Sequence, residues 1–133
     1  MNDGSAAIIE SGERILLQQR DFNKDIPYPG SWSLFGGHLQ EGEWSLVTLL
    51  RELEEELGIN FKPNDFAYLG KFSRIETPTG HIHLYSHTGD YTVNSFSQLE
   101  GNAMAFVNPN YLPRLRVTPD MRGIFEQIYK QNG

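Results

Sequence analysis

The 133-residue sequence predicts an α/β layered domain, and three observations carry that expectation. Strand-like runs stand on both sides of a central amphipathic helical stretch. A second helical stretch closes the chain. No repeat, low-complexity tract or linker divides it, so residues 1–133 are expected to form one domain, large enough to build a core without staples.

The elements follow in order. Ser5 to Ile9 and Arg14 to Gln19 are β-rich runs around Glu10-Ser11-Gly12-Glu13, the pattern of a hairpin. Residues 20 to 31 carry two prolines and Gly30 and read as a loop; a short strand is expected at Ser31 to Leu34. Leu46, Leu50, Leu53 and Leu57 then recur at i, i+4, i+7 and i+11, one stripe of an α-helix. Gly58 lies just past that stripe, where a left-handed residue ends a helix and lets Ile59 fold back onto it. Asn60 to Asn64 is a turn containing Pro63. Phe66 to Glu76 and His81 to Thr88 read as two strands joined across Thr77-Pro78-Thr79-Gly80. Met104 to Val107 is a short strand ahead of Asn108-Pro109. Thr118-Pro119 opens a last helix with Ile124, Phe125 and Ile128 as its apolar face.

Composition narrows the function classes. With no cysteine, disulfides and thiolate metal sites are excluded. No apolar run approaches the length of a membrane span, and Met1 to Ile9 lacks the basic and apolar regions of a signal peptide; a cytoplasmic protein with no membrane partner is expected. Seventeen acids against 11 bases give a net charge of −6, which argues against a nucleic-acid polymer and favours a small phosphorylated metabolite.

The acids are concentrated on one helix face. At about 100° per residue, Glu52, Glu55 and Glu56 share an arc beside the leucine stripe, while Glu54 points away. Converging carboxylates repel unless they are protonated or a cation lies between them. A hard dication with oxygen ligands resolves that conflict, and Mg²⁺ suits carboxylates that share it with substrate phosphates. Upstream, Gly36, Gly37 and Gly42 let the backbone bend closely around a ligand and aim amides at phosphate oxygens.

Gly37, Glu43, Arg51, Glu52, Glu55, Glu56 and Gly58, with apolar Leu53 and Ile59, resemble the Nudix box, G-x5-E-x7-R-E-U-x-E-E-x-G-U, with every position met. The fixed glycines, Glu43 and Arg51 set this run apart from an ordinary solvated acidic face. The resemblance implies a curved mixed β-sheet between the box helix and the C-terminal helix. It implies a metal-dependent pyrophosphohydrolase acting on a nucleoside diphosphate linked to another group. Glu52, Glu55, Glu56 and Glu100 are then the catalytic residues. Glu52, Glu55, Glu56 and Gly36 would hold Mg²⁺, with Mn²⁺ as a substitute. Either Glu52 or Glu100 would be the base. Arg51 would orient nearby carboxylates, Glu43 would start the helix or lie in the outer ligand sphere, and Gly58 would end the helix.

Further assignments lie outside the box. Gly37, Arg20 and the weaker candidate Lys24 are expected at substrate phosphate, although a solvated strand-end reading of Arg20 stands beside that one. His38, His81, His83 and His87 read as surface or core histidines, because an oxygen-rich box calls for a hard ion. Trp32, Phe35, Tyr28 and Phe72 read as packing residues first and base-stacking residues second. Phe35 replaces the proline that often precedes the glycine pair in the family. Signals for NADH, coenzyme A, ADP-ribose and diadenosine-polyphosphate substrates are missing; Arg74 stands where ADP-ribose cleavers usually carry proline. A nucleoside triphosphate is the expected substrate, a sugar nucleotide or a non-catalytic nucleotide-binding regulator the alternatives, and a homodimer is compatible with all three.

Overall fold

The computed structural model describes residues 2–129. Its sheet is built on a hairpin that forks. Strands β1 (Gly4–Ser11) and β2 (Arg14–Gln19) pair only at their closed end, Glu10 opposite Ile15 and Ser11 opposite Arg14. Beyond that point a single stretch of chain fills the fork. Its first part, β3 (Trp32–Ser33), pairs antiparallel with β2, and its second, β4 (Phe35–His38), pairs antiparallel with β1. Strand β6 (His81–Thr88) lies parallel to β1, β5 (Ala67–Ser73) runs antiparallel on β6, and β7 (Ala103–Val107) runs antiparallel on β2. The result is a curved, mixed, seven-stranded sheet with β5 at one edge.

Helices cover both faces. The period of two along a strand sends Ala6 and Ile8 to one side of β1 and Ala7 and Ile9 to the other, and all four are buried. Helix α2 (Pro119–Ile128) packs Met121, Ile124 and Phe125 against Ala6, Ile8, Ile15, Leu17, Ile82 and Leu84. Helix α1 (Ser45–Leu57) packs Leu49, Leu53 and Leu57 against Ala7, Ile9, Leu16, Phe35 and Tyr85. The layered α/β expectation holds. Among the described residues, no helix is long and apolar enough to cross a membrane.

Three local expectations change. The buried stripe of α1 is Leu49, Leu53 and Leu57 with Thr48 and Glu56, whereas Leu46 and Leu50 are only partly covered. The stripe is rotated toward the sheet, which carries Glu56 into the interior. Gly36 and Gly37 do not form a bend but lie within β4, and a Cβ at Gly36 would stand 2.0 Å from the Ser5 carbonyl oxygen. Only a residue without a side chain lets β4 lie that close to β1. Strand β5 ends at Ser73 instead of continuing to Glu76, because the amides of Ile75 and Glu76 turn away to bond the Asp120 carboxylate.

Candidate active site

Helix α1 lies against β4 through Glu52 and Glu56, and the close approach of these elements builds the acidic site. Glu56 is 3% exposed, and the Gly36 N–H donates to its Oε1 at 3.1 Å. Burial pushes the Glu56 carboxyl up to about 9; the Gly36 amide opposes this, while the negative charges of Glu52, Glu100 and Glu55 add to it. Glu52 occupies space that a side chain at position 37 would fill, since a Cβ on Gly37 would stand 2.3 Å from its Cδ. Burial raises its carboxyl as well, against the pull of Arg51.

Arg51 ties the acids together. Its Nε and Nη2 donate to the two oxygens of Glu43, each at 2.9 Å, and its Nη1 donates to Glu52 at 2.8 Å. Glu55 Oε1 lies 3.5 Å from the same Nη1. Glu43 also accepts from the Gln40 amide and the Thr48 hydroxyl, so it is a joint between the loop and the start of α1. The Arg51 fork, then the Gln40 amide, hold its carboxyl down at about 2. Arg51 itself titrates above the ordinary guanidinium range, chiefly through Glu43.

A loop far along the chain completes the acidic wall. Gly58 takes a left-handed conformation (φ 67°) and ends α1, and the helix's last carbonyls accept from this loop: Leu99 N–H to Glu56 O at 2.9 Å and Ser97 N–H to Leu57 O at 3.1 Å. The Asn102 amide is fixed in turn to Gln19 O at 2.8 Å. Glu100, held between these anchors, joins Glu52, Glu56, Gly36 and Gly37 in lining a cavity of about 770 Å³. Glu55 stays on the outer surface with half its side chain exposed. Arg20 lines the cavity, although its Nε is engaged with Pro27 O at 2.9 Å. Lys24 is exposed and lines neither this cavity nor its neighbour.

The neighbouring cavity, of about 490 Å³, lies on the other side of β4 and shares Gln18, Arg20, Gly36, Gly37 and His38 with the first. Tyr28, Leu34, Ile82 and Met121 give it apolar walls; Glu76, Asp120, Thr118 and Ser33 give it polar ones. The start of α2 is brought there by pairing with β3, Trp32 N–H to Arg116 O at 2.8 Å and Thr118 N–H to Trp32 O at 3.3 Å. Asp120 accepts from Arg74 Nε at 2.8 Å and from the amides of Ile75 and Glu76 at 2.7 and 2.9 Å. Burial works to raise the Asp120 carboxyl, but those donors outweigh it and hold it below its ordinary range. This cavity had no linear signal: its polar residues come from stretches dozens of positions apart and meet only in the fold. Of the aromatics considered for base stacking, Tyr28 alone lines it. Phe35 is fully buried under α1, and Trp32 and Phe72 pack against the α2 core.

The donor set fits a hard divalent cation: the carboxylates of Glu52, Glu55, Glu56 and Glu100 and the backbone of Gly36, all oxygen ligands. Among the described residues no three His, Cys, Asp or Glu side chains are already gathered around one point as a cage. Arg51 Nη1 stands between Glu52 and Glu55 and supplies part of the charge neutralisation there. A metal would therefore need further oxygen ligands beyond these side chains, as small oxygen-seeking dications do. The histidines stand apart from the acidic wall except His38: His81 and His83 face Asp3, and His87 bonds Asp65 O and Tyr91 Oη.

Known proteins resemble this chain along nearly its whole length. Nudix hydrolase 3 of Arabidopsis thaliana is 41% identical over 59 residues, which is 44% of this chain and 8% of that protein. The CTP pyrophosphohydrolase of Escherichia coli is 38% identical over 87 residues, 65% of this chain and 61% of that one, so the chain matches less than two thirds of either relative. The MutT Nudix hydrolase structure from Burkholderia pseudomallei superposes with a TM-score of 0.70 at 27% identity, covering 96% of this chain and 97% of that one. The NUDIX domain family profile matches residues 2–128, and the forked sheet, the acidic helix face beneath its glycine strand and this match together place the chain in the Nudix family.

Proposed function

We propose that this protein is a divalent-metal-dependent pyrophosphohydrolase whose substrate is a nucleoside triphosphate. The observation that carries the proposal is the continuity of an acidic, metal-suited cavity with a smaller half-apolar one across a shared wall at Gly36 and Gly37. The first suits a polyphosphate with its metal, and the second has the size and mixed polarity of a nucleoside site. The similar E. coli protein is named as a CTP pyrophosphohydrolase, which agrees with a triphosphate. All the box carboxylates are present, which supports catalysis over mere nucleotide binding. The net charge of −6 favours a free nucleotide over a nucleic-acid polymer.

In this reading Glu52, Glu55 and Glu56 hold the cation, with Gly36 and Glu100 beside them. Mg²⁺ is the natural ion and Mn²⁺ its substitute, in a family that generally uses divalent metals. When bound, the ion neutralises phosphate charge and makes water a better nucleophile near neutral pH. Arg51 fixes Glu52 against β4 and keeps its carboxylate turned to the cavity wall. Arg20, at the shared wall, grips a phosphate with the guanidinium N–H groups that Pro27 leaves free. Glu52 or Glu100 takes the proton from the attacking water; Glu56, whose carboxyl is pushed up to about 9, is poorly suited to that task in the absence of metal. The products are a nucleoside monophosphate and pyrophosphate.

A panel of nucleoside triphosphates, sugar nucleotides and dinucleoside polyphosphates, incubated with Mg²⁺ and resolved by mass spectrometry, tests this. Monophosphate and pyrophosphate from a triphosphate are the expected products. Turnover confined to sugar nucleotides would replace the substrate, and no turnover of any compound would overturn the reading.

A further inference from the structure

The turn ahead of β3 is held in a conformation that its sequence resists. Tyr28 has φ 51°, in the left-handed region, and among the described residues it is the only one other than glycine found there. A Cβ makes that region costly, and a following proline narrows the choice further, so Tyr28-Pro29 is disfavoured on both counts. The turn persists because its surroundings over-determine it. Arg20 Nε donates to Pro27 O at 2.9 Å, the Ser31 amide to Tyr28 O at 3.2 Å and the Arg20 amide to Ser31 O at 2.8 Å. Gln19 Nε2 donates to Gly30 O at 3.1 Å, and the Phe22 ring lies so close to Gly30 that a Cβ there would meet it at 2.6 Å.

The core makes no use of the side chain held this way. Tyr28 belongs to neither apolar cluster, is 43% exposed, and makes no side-chain hydrogen bond or ring contact among the described residues. It stands instead on the wall of the smaller cavity with Leu34, Ile82 and Met121, and no other Phe, Tyr or Trp lines that wall. Strain retained at a residue that packing does not need points to a ligand. We propose that Tyr28 is the platform on which the nucleobase stacks. The proposal rests on the nucleoside placement in the reading above. Stacking uses the π-face that every base shares, so Tyr28 holds a nucleotide without choosing among bases. Because Arg20 fastens Pro27 and also lines the acidic cavity, one loop sets the base platform and the phosphate grip in fixed relation.

Calorimetry in Mg²⁺ with CMP, AMP and ribose 5-phosphate, on wild type, Tyr28→Phe, Tyr28→Ala and Tyr28→Gly, tests this. Ribose 5-phosphate keeps the sugar and phosphate but has no base. Wild type is expected to bind both nucleotides about tenfold or more tightly than ribose 5-phosphate. The alanine and glycine variants should lose that advantage, and Tyr28→Phe should keep it to within about threefold. Ribose 5-phosphate should bind all of the proteins alike. Thermal melts check that each variant folds; Tyr28→Gly fits a left-handed φ without strain and should melt no lower than Tyr28→Ala. A folded Tyr28→Ala or Tyr28→Gly protein that binds CMP and AMP as wild type does would overturn the role of Tyr28. So would a parallel loss of ribose 5-phosphate, which would mark Tyr28 as shaping the loop alone, or a wild type that binds the nucleotides no better than the sugar phosphate. These readouts need no turnover. Failure to hydrolyse any triphosphate would therefore remove the hydrolysis reading, while the binding data still decide whether a base stacks on Tyr28.

Discussion

Replacing Glu56 by glutamine is expected to make the metal-free protein more stable at alkaline pH while destroying its activity. The carboxyl titrates near 4.5 in an unfolded chain and at about 9 in the fold, because it is buried among other carboxylates and has one amide donor, Gly36. The native state therefore binds this proton more tightly than the unfolded one does. Below about pH 4 both states are protonated and the fold carries no penalty. As pH rises from there toward 9, the unfolded state gains stability by releasing the proton, and the fold loses roughly 1.4 kcal/mol per pH unit. By pH 8 the accumulated loss is on the order of 4–5 kcal/mol, a large part of a typical domain's stability. Glutamine can still accept the Gly36 bond and has no proton to lose, so the variant escapes this slope. Urea titrations in EDTA from pH 5 to pH 9 measure it, with the difference between variant and wild type cancelling the other acids. The gap should widen in favour of Glu56→Gln as pH rises, and saturating Mg²⁺ should restore the wild type selectively, because an ion that binds only the fold adds stability by mass action. Parallel pH curves for the two proteins in EDTA would refute the reasoning, since the buried carboxylate would then carry no ionisation penalty.

Other outcomes follow from the same geometry. Glu55→Gln leaves an exposed position, so its melting temperature should stay near wild type while Mg²⁺-dependent turnover falls by orders of magnitude; a wild-type rate would remove Glu55 from the metal site. Gly37→Ala places a Cβ against the flexible Glu52 side chain and should cost activity more than stability, whereas Gly36→Ala strikes the backbone of β1 and should unfold the protein. Melts and rates on the pair together decide this, and equal effects would contradict the separate roles. Arg20→Ala should raise KM with little change in kcat, and Arg20→Lys should recover only part of the loss, because a point charge replaces a fork. An unchanged kcat/KM for Arg20→Ala would leave Arg20 as a clasp on Pro27 alone.

Much of the fold is visible along the chain because the period of the apolar residues is a local quantity. The apolar run of β1, the alternation in β6 and the leucine repeat of α1 each follow from the geometry of one element, and the spacing of Gly37, Arg51, Glu52 and Glu56 already announces an acidic face with a companion glycine. Local periodicity does not contain the angle at which α1 meets the sheet. That angle turns Leu49 and Glu56 inward, and it makes one box carboxylate a buried acid and another, Glu55, a surface one.

The sequence by itself determined which residue types gather in the box, and therefore the family and the oxygen-rich chemistry. Tertiary structure alone decided that Gly36 and Gly37 lie in a strand rather than a bend, since the need for glycine there comes from Ser5 and Glu52, which reach them across the sheet and from the helix beneath. It alone decided that Glu100 is fixed to the end of α1, and that Arg74, Glu76 and Asp120 meet at the mouth of a second cavity. These are contacts between segments some 40 residues apart, set by how the hairpin forks and how the helices cover it. A hydrogen bond at such separation leaves no periodic trace, because each partner's own neighbourhood is satisfied with or without it.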